Sequence, residues 1–536
     1  AVIVAAPLMP HWNIAHLTAG LFRLSIARDV LESGDWTDPE LVYHRDGIVT
    51  SVTVERWSSK HYSMKNNGKV DASTGDDMPT QITVGLLPLF LHPGTPELKP
   101  KVALIGYASG VTAGTVLQYP VSRLDVIELE PAVLEGSVFF EHVNNKPMSD
   151  PRLRLISDDG RNFLAAGADK YDVIINEPSN PWLTGVANLF TREYFEICRR
   201  RLKEDGILAT WVQMYEMSPR HIKSIYRSFV EVFPYVYAFS AEALSSDTFL
   251  IGSNRPLRPD IRRMRRVFEI PKVKKELKRA KVLAPDDFLA LTLLGPGEAN
   301  AFTMGAELNT DDNALIEFGA PKDLFNHKRY DYFISRVYGH SWMYGRLEPF
   351  VRGYRTSEDY AGLVHALLRL GKFREASHFF EKVQGEGEKS DLGRRVSLLM
   401  DLLSPQYVEQ VEVPLSEGGP DLAPIQLPDK PGDKAQVEKI IHEYSQVERL
   451  AQGRAFRSAL DLVEGWPEQW REEGGDDFQL FWGFLVYKCQ DLHTAWKILE
   501  PLWEKKGFAK KRPALLYYLG RAYYGNADYG SSVKVL

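Results

Sequence analysis

Between Leu41 and Lys69 apolar and β-branched residues alternate with polar ones, in LVYHR, TSVTVERW and HYSMK, and the alternation breaks at Asp46-Gly47 and Asn66-Asn67-Gly68. Period-two alternation interrupted by turn-forming residues predicts antiparallel hairpins. Residues 41–100 are therefore expected to form a small β lobe and the segment leading out of it. Between Lys101 and Ser253 the texture changes to short apolar runs, KVALIG, RLDVIELE, RLRLIS, YDVIINE, GILATWV and DTFLIGS, separated mostly by stretches of helical period. Strand–helix alternation of this kind predicts an α/β domain over 101–253, built on a parallel sheet covered on both faces. No further strand is expected beyond about residue 254.

From about Tyr360 the pattern becomes pairs of helices. LVHALLRLGKFREASHFFEKV, VERLAQGRAFRSALDLVEGW, FLVYKCQDLHTAWKILEPL and LLYYLGRAYYGNADYGSSVKVL share an apolar helix, a tight turn, and a large residue three before a small one. Those pairs are Phe373/Ala376, Phe456/Ala459, Leu492/Ala495 and Tyr529/Ser532. The last three small residues recur at about the tetratricopeptide period of roughly 34 residues. Residues 355–536 are thus expected to be a tetratricopeptide-like helical array, a form that offers concave surfaces to protein partners. The Pro, Gly and acid-rich stretch Ser404–Lys434 reads as a linker within it.

A chain of 536 residues, 44% hydrophobic and net −6, is too long for one core and has an ordinary soluble composition. Its only cysteines, Cys198 and Cys489, lie in apolar helical patterns, which argues against a disulfide frame or a cysteine metal site and favours a reducing compartment. No uninterrupted apolar run is long enough to span a bilayer. Residues 1–40 begin AVIVAAPLMP, without an initiator Met or basic flank, and read as the trailing end of a membrane region. Residues 254–354 are expected to be a basic helical connector. Within it Arg255–Lys281 carries twelve Lys and Arg against three acids, a solvated helical face or a surface for anionic membrane. No nucleic-acid module accompanies it, so no nucleic-acid partner is expected. His340 in HSWMY reads as packing, and the thirteen histidines show no metal-ligand spacing, so no metal is expected.

The chemistry concentrates at strand ends. The first strand of the α/β region runs into IGYASGVTAG, where Gly106, Ala108, Ser109 and Gly110 let backbone amides approach a ligand ahead of a helix. Glu128 ends the second strand, 22 residues beyond Gly106, where an acid accepts hydrogen bonds from ribose hydroxyls. Glu128 also has a bland reading as the cap of a helix near Pro131. Asp159-Gly160 ends the third strand, and Asp159 reads either as a nucleoside contact or as a helix cap. Glu177 ends the fourth, fixed between apolar residues and Pro178. Three acids at successive strand ends face one crevice at the carboxyl edge, where open α/β sheets bind ligands.

The series LIGYASG, VIELEP, ISDDGRNFL, DVIINEPSNPW, NLFTREYF and LKEDGILATW resembles the polyamine aminopropyltransferases, the spermidine synthases. The upstream NNGKVDASTGDDMPTQITVGLLPLFLHP is similar to that family's amino-terminal β lobe and substrate-gating segment, so the resemblance covers about Leu41–Ser253. KVDAST, EPSNPW and LNTDDNALIEF further resemble a bacterial branch fused to membrane helices. The likeness implies a Rossmann-like S-adenosylmethionine methyltransferase fold with a seven-stranded sheet, and an aminopropyl transfer to a small amine. It also implies a place at the cytoplasmic face of a membrane, as a homo-oligomer or within a larger complex.

Carried over by residue, the resemblance implies that Gly106 to Gly110 contact the methionine-derived part of decarboxylated S-adenosylmethionine, Glu128 the ribose and Asp159-Gly160 the adenine side. It places Glu177 where the family has the aspartate that orients or deprotonates the attacking amine, with Asn180 in place of a second acid. In the substrate-gating region Asp71 stands for a glutamine, Thr80 for a tyrosine, and Gln81 is kept. Ser109 replaces an acid that holds the donor's amino group, so ordinary S-adenosylmethionine is an alternative donor and methyl transfer an alternative reaction. A scaffold that has lost turnover and acts through its helical repeats is the other alternative.

Overall fold

In the computed structural model the described residues are 14–23, 39–75, 77–94, 98–242, 245–325, 347–351, 353–370, 372–383, 390–402, 443, 447, 456–468, 471, 475–489, 492–505 and 514–525. The expectations for residues 1–10, Ser404–Lys434, His340 and the Tyr529/Ser532 pair fall outside them. Two compact units emerge, Ala1–His378 and Phe379–Leu536.

The first unit opens with the antiparallel lobe that the alternation predicts: β1 (Glu40–Asp46), β2 (Ser51–Arg56), β3 (Tyr62–Asn66) and β4 (Lys69–Ser73), paired in sequence order. Val52, Val54 and Met64 form its buried face together with Ala132, Val133 and Phe140 from the neighbouring domain. A helix follows, α1 (Met78–Leu91), all of whose residues are buried. MPTQITVGLLPLFL has almost no polar stripe, and a helix apolar all round can only be stable inside the body.

The α/β domain then runs β5 (Lys101–Ile105), α2 (Val111–Val116), β6 (Arg123–Glu128), α3 (Pro131–Gly136), β7 (Leu153–Ser157), α4 (Gly160–Ala166), β8 (Tyr171–Asn176), α5 (Arg192–Arg201), β9 (Leu202–Gln213) and α6 (Pro219–Val232). It closes with β10 (Tyr235–Ser240) and β11 (Asp247–Ser253). The spatial order is β12-β10-β11-β9-β8-β5-β6-β7, where β12 is Thr292–Leu294. Two corrections follow. The sheet has eight strands rather than seven: to the six apolar runs read as strands, YVYAFS adds a seventh, and β12 returns from beyond residue 254 to pair with β10 as the eighth. It is also mixed: β7, β6, β5, β8 and β9 are parallel, whereas β11 pairs antiparallel with β9 and β10 antiparallel with β11. A run buried on both faces reads alike in either direction, so its periodicity could not disclose this.

The basic stretch forms α7 (Ile261–Phe268) and α8 (Pro271–Arg279). Their apolar residues, among them Met264, Val267, Val273 and Leu277, are buried in the first unit, and the Arg263 guanidinium is buried too, donating to the carbonyl of Phe90 at 2.7 Å. The helix Ser357–Arg369, expected to open the repeats, packs on α9 (Pro285–Ala290), with Arg369 paired to Asp287 and Tyr354 donating to Asp286 at 2.5 Å. In the second unit the described helices Phe456–Glu464, Asp476–Lys488, Leu492–Glu504 and Ala514–Gly525 pack successively on one another. Among the described residues no helix is long and apolar enough to cross a membrane.

The α2 crossing depends on one small residue. A Cβ on Gly114 would stand 1.7 Å from the backbone oxygen of Asn144, which no side-chain rotation relieves. Gly114→Ala is expected to lower the stability of the first unit by about 2–3 kcal/mol, read as a shift of its urea midpoint at unchanged slope; an unshifted midpoint would show that the 144–145 turn yields freely.

Candidate active site

The parallel strands end level. Ile105 is in register with Ile127 and with Asn176, and Glu128 with Ser157, so the residues that follow β5, β6, β7 and β8 lie along one edge. The chain order changes direction across β5, with β6 to one side and β8 to the other, which opens a crevice at that edge. A cavity of about 1270 Å³ occupies it, extending to the β lobe and the first turn of α1.

Nine expected site residues line this cavity together: Asp71, Thr80, Gln81, Gly106, Ala108, Glu128, Asp159, Gly160 and Glu177. Gly106 has φ +92°, and a Cβ there would lie 2.5 Å from the carbonyl oxygen of Glu177, so the tips of β5 and β8 touch only because this position is glycine. The amide of Glu177 donates to Ile105 at 3.1 Å, extending the ladder past the strand end and fixing the residue.

Glu128 accepts from the amides of Tyr107 and Glu130, each at 2.9 Å. The helix near Pro131 is capped by Glu130, whose carboxylate accepts from Ala132 at 3.0 Å, so Glu128 has no capping duty and faces the crevice. Its burial raises its carboxyl above the usual range. Asp159 caps α4 through the amide of Asn162 at 2.7 Å and also lines the cavity.

Three expected residues stand elsewhere. Ser109 is buried away from the cavity wall, its hydroxyl donating to Gln81 Oε1 at 2.5 Å. Gly110 serves as the cap residue of α2, behind the wall. Asn180 is fully buried and donates to Tyr215 Oη at 3.3 Å, because the turn between Pro178 and Pro181 sends Ser179 inward instead. Ser179 donates to Asp71 Oδ1 at 2.7 Å.

Glu177 is a strongly perturbed acid of the wall. Although one side is open to the cavity, it lies deep enough that burial raises its carboxyl to about 8; the neighbouring Asp77 and Asp247 carboxylates add to the rise, and the Thr112 hydroxyl opposes it. Burial likewise raises Asp77 and Asp247. Asp77 accepts from the amide of Ser73 at 2.6 Å and from Gln81 Nε2 at 3.1 Å. Asp247 accepts from Thr80 Oγ1 and Trp211 Nε1, both at 3.1 Å.

Neither Asp77 nor Asp247 was singled out in the sequence, and Asp247 shows why. It opens β11, and a strand read as parallel carries its first residue to the far edge; the antiparallel direction brings it to the cavity. Asp77 was legible only as an acid just ahead of α1. Asp311, from the LNTDDN segment, is a third: it pairs with Arg161 at 2.8 Å on the cavity rim, while Asn309 ties the segment down by donating to Phe190 O at 3.0 Å. In all, eight carboxyl groups line the cavity, namely Asp71, Asp77, Glu128, Glu130, Asp159, Glu177, Asp247 and Asp311. Against them stand Lys69 and Arg161, both already paired. A partly desolvated space with this balance attracts cations. Among the described residues no group of His, Cys, Asp and Glu is arranged to hold a metal ion.

Residues 80–244 match the sequence profile of the Spermine/spermidine synthase domain. The chain is 29% identical over 186 residues to a polyamine aminopropyltransferase of Korarchaeum cryptofilum, covering 33% of this chain and 55% of that protein. It is 29% identical over 194 residues to the polyamine aminopropyltransferase of Bacillus subtilis, covering 35% and 68% respectively. It therefore spans about half to two thirds of the length of these relatives. The spermidine synthase structure from Thermotoga maritima superposes with a TM-score of 0.40 at 22% identity, covering 49% of this chain and 87% of that one. By the profile match, residues 80–244, which supply the strand ends of the cavity, carry the spermine/spermidine synthase domain.

Proposed function

We propose that the cavity is the active site of a transferase that moves an aminopropyl group from decarboxylated S-adenosylmethionine to a small amine. The observation that carries this reading is Glu177, a carboxyl raised to about 8 at the point where the tips of β5 and β8 meet inside an acid-lined crevice. The donor's adenosine fits beside Gly106, with its ribose hydroxyls on the remaining lone pairs of Glu128 and its base toward Asp159 and Gly160. When bound, the donor supplies a carbon activated by a positive sulfur.

An amine enters as an ammonium ion of pKa roughly 10 and must lose a proton before its lone pair can attack. An ordinary carboxylate is too weak a base to take that proton readily. Glu177, raised by burial, narrows the gap, and proton transfer is more effective the closer the two groups match. Glu177 takes the ammonium proton, the nitrogen lone pair forms the new C–N bond, the C–S bond breaks, and its electrons neutralise the sulfonium to a thioether. Positioning by the fixed strand tips supplies the remaining advantage. A methyl donor, ordinary S-adenosylmethionine, is the second reading, favoured by Ser109: its neutral hydroxyl is turned to Gln81, so no acid stands there to require an amino group without its carboxylate. The successive helices of the second unit support a tetratricopeptide-like array for protein partners, and the exposed cations of α7 and α8 support attachment beside an anionic membrane.

Two outcomes check the role of Glu177. At about pH 7 the empty site holds it protonated, and an arriving ammonium ion favours its ionised form. Amine binding should therefore release up to about one proton, measured by calorimetry in buffers of different ionisation heat, and Glu177→Gln should abolish that release together with transfer. Transfer at the full rate by the variant would remove Glu177 from the mechanism. The same shift acts on stability. A carboxyl raised in the folded state from 4.5 to about 8 holds its proton more tightly than in the unfolded chain, so its contribution falls as pH rises through that window. Glu177→Gln should accordingly gain stability over the parent between about pH 5 and about pH 9, by up to a few kcal/mol; a difference that stays flat with pH would contradict the burial argument.

A further inference from the structure

The cavity wall contains a cation of its own. Lys69, at the start of β4, is only 5% exposed, yet it lines the cavity. Its ammonium group lies 3.0 Å from Asp71 Oδ1 and 5.7 Å from the centre of the Trp211 ring. Burial alone would lower its pKa, but Tyr215, Asp71 and Asp247 outweigh burial and keep it charged. Asp71 is further tied by Ser179, and Asp247 by Thr80 and Trp211, so this part of the wall forms a closed set in which each acid has its donors. An aromatic face, two carboxylates and a tyrosine around one nitrogen make an ammonium site, and the protein's own side chain fills it.

The other acidic position differs. Among the described residues no Lys or Arg pairs with Glu177. Ser179, just beyond Glu177 and Pro178 in the chain, donates to Asp71, the partner of Lys69, and Asp247 acts on both Glu177 and Lys69, so the two positions lie along one stretch of wall. A ligand nitrogen held at Glu177 thus has Lys69 as a neighbour, and a second ammonium on the same ligand would meet a like charge that Asp71 and Trp211 hold in place.

We propose that Lys69 sets the acceptor class: its side chain occupies the second cation position of the cavity, so that the acceptor is an amine with a single cationic nitrogen and an uncharged far end, and diamines are disfavoured. This rests on the transferase reading above and names its substrate. A carboxylate at the far end gains little there, because Asp71 already pairs the Lys69 ammonium and the remaining acids of the wall repel it.

The test is calorimetry on the full chain with three probes of equal chain length, butane diamine, amino-butanol and amino-butanoate, for the parent, Lys69→Met and Lys69→Arg. The parent should bind amino-butanol about tenfold or more tightly than the diamine, with amino-butanoate weakest. Lys69→Met, similar in length but uncharged, should shift the ratio toward the diamine by about tenfold or more, while Lys69→Arg keeps the parental order. If Lys69→Met is too unstable to titrate alone, the diamine but not amino-butanol should raise its melting temperature by replacing the lost charge. A parent that prefers the diamine, with no gain in Lys69→Met, overturns the assignment of Lys69 and leaves the transferase reading standing. Failure of every amine to bind folded parent and variant alike removes both.

Discussion

The contact on which the site depends is the one between the tips of β5 and β8. The amide of Glu177 closes on Ile105, and its carbonyl oxygen lies so near Gly106 that any side chain there would push the two strands apart. This single approach fixes the height of Glu177 relative to the loop that begins at Gly106 and to the neighbouring end of β6, where Glu128 is held by two amides. Because strand ends in a ladder move together, the spacing of the acids is set by backbone hydrogen bonds rather than by flexible side chains, which is what pre-organised chemistry requires.

Gathering eight carboxyl groups around one cavity is unfavourable unless their charges are matched or suppressed. The protein does both, in different places. Around Lys69 the charges are matched, by an ion pair and by hydrogen bonds from Ser179, Thr80 and Trp211. Around Glu177 they are suppressed, since burial and two neighbouring acids keep the carboxyl protonated near neutrality. The first arrangement is finished without a ligand. The second is not, and a cation arriving there gains more than it would at an exposed acid.

The β lobe, the presence of the first parallel strands and the convergence of Gly106, Glu128, Asp159 and Glu177 were all legible in the sequence, because alternation, apolar runs and strand-end residues report local structure directly. What was not legible depended on direction and partnership. Periodicity says that YVYAFS and DTFLIGS are apolar, not which way they run, so Asp247 was missed. Ser109 and Asn180 stand at the expected places in the chain, but one is taken up by Gln81 and the other is turned toward Tyr215. Lys69 lay within a quoted motif, and its meaning appears only when Asp71, Trp211 and Asp247, drawn from three separate strands or their ends, are seen around it.

The family match ends at residue 244, whereas the physical object does not. β11 and β12 continue the sheet, Asp311 closes on Arg161 across the rim, and the helix Ser357–Arg369 is pinned to α9 by its own ion pair. The matched segment and the packed body thus have different borders on this chain: residues 80–244 carry the recognisable letters, while strands and helices beyond them belong to the same compact unit. A change far downstream of the recognisable letters can therefore be felt at the crevice as surely as one inside it.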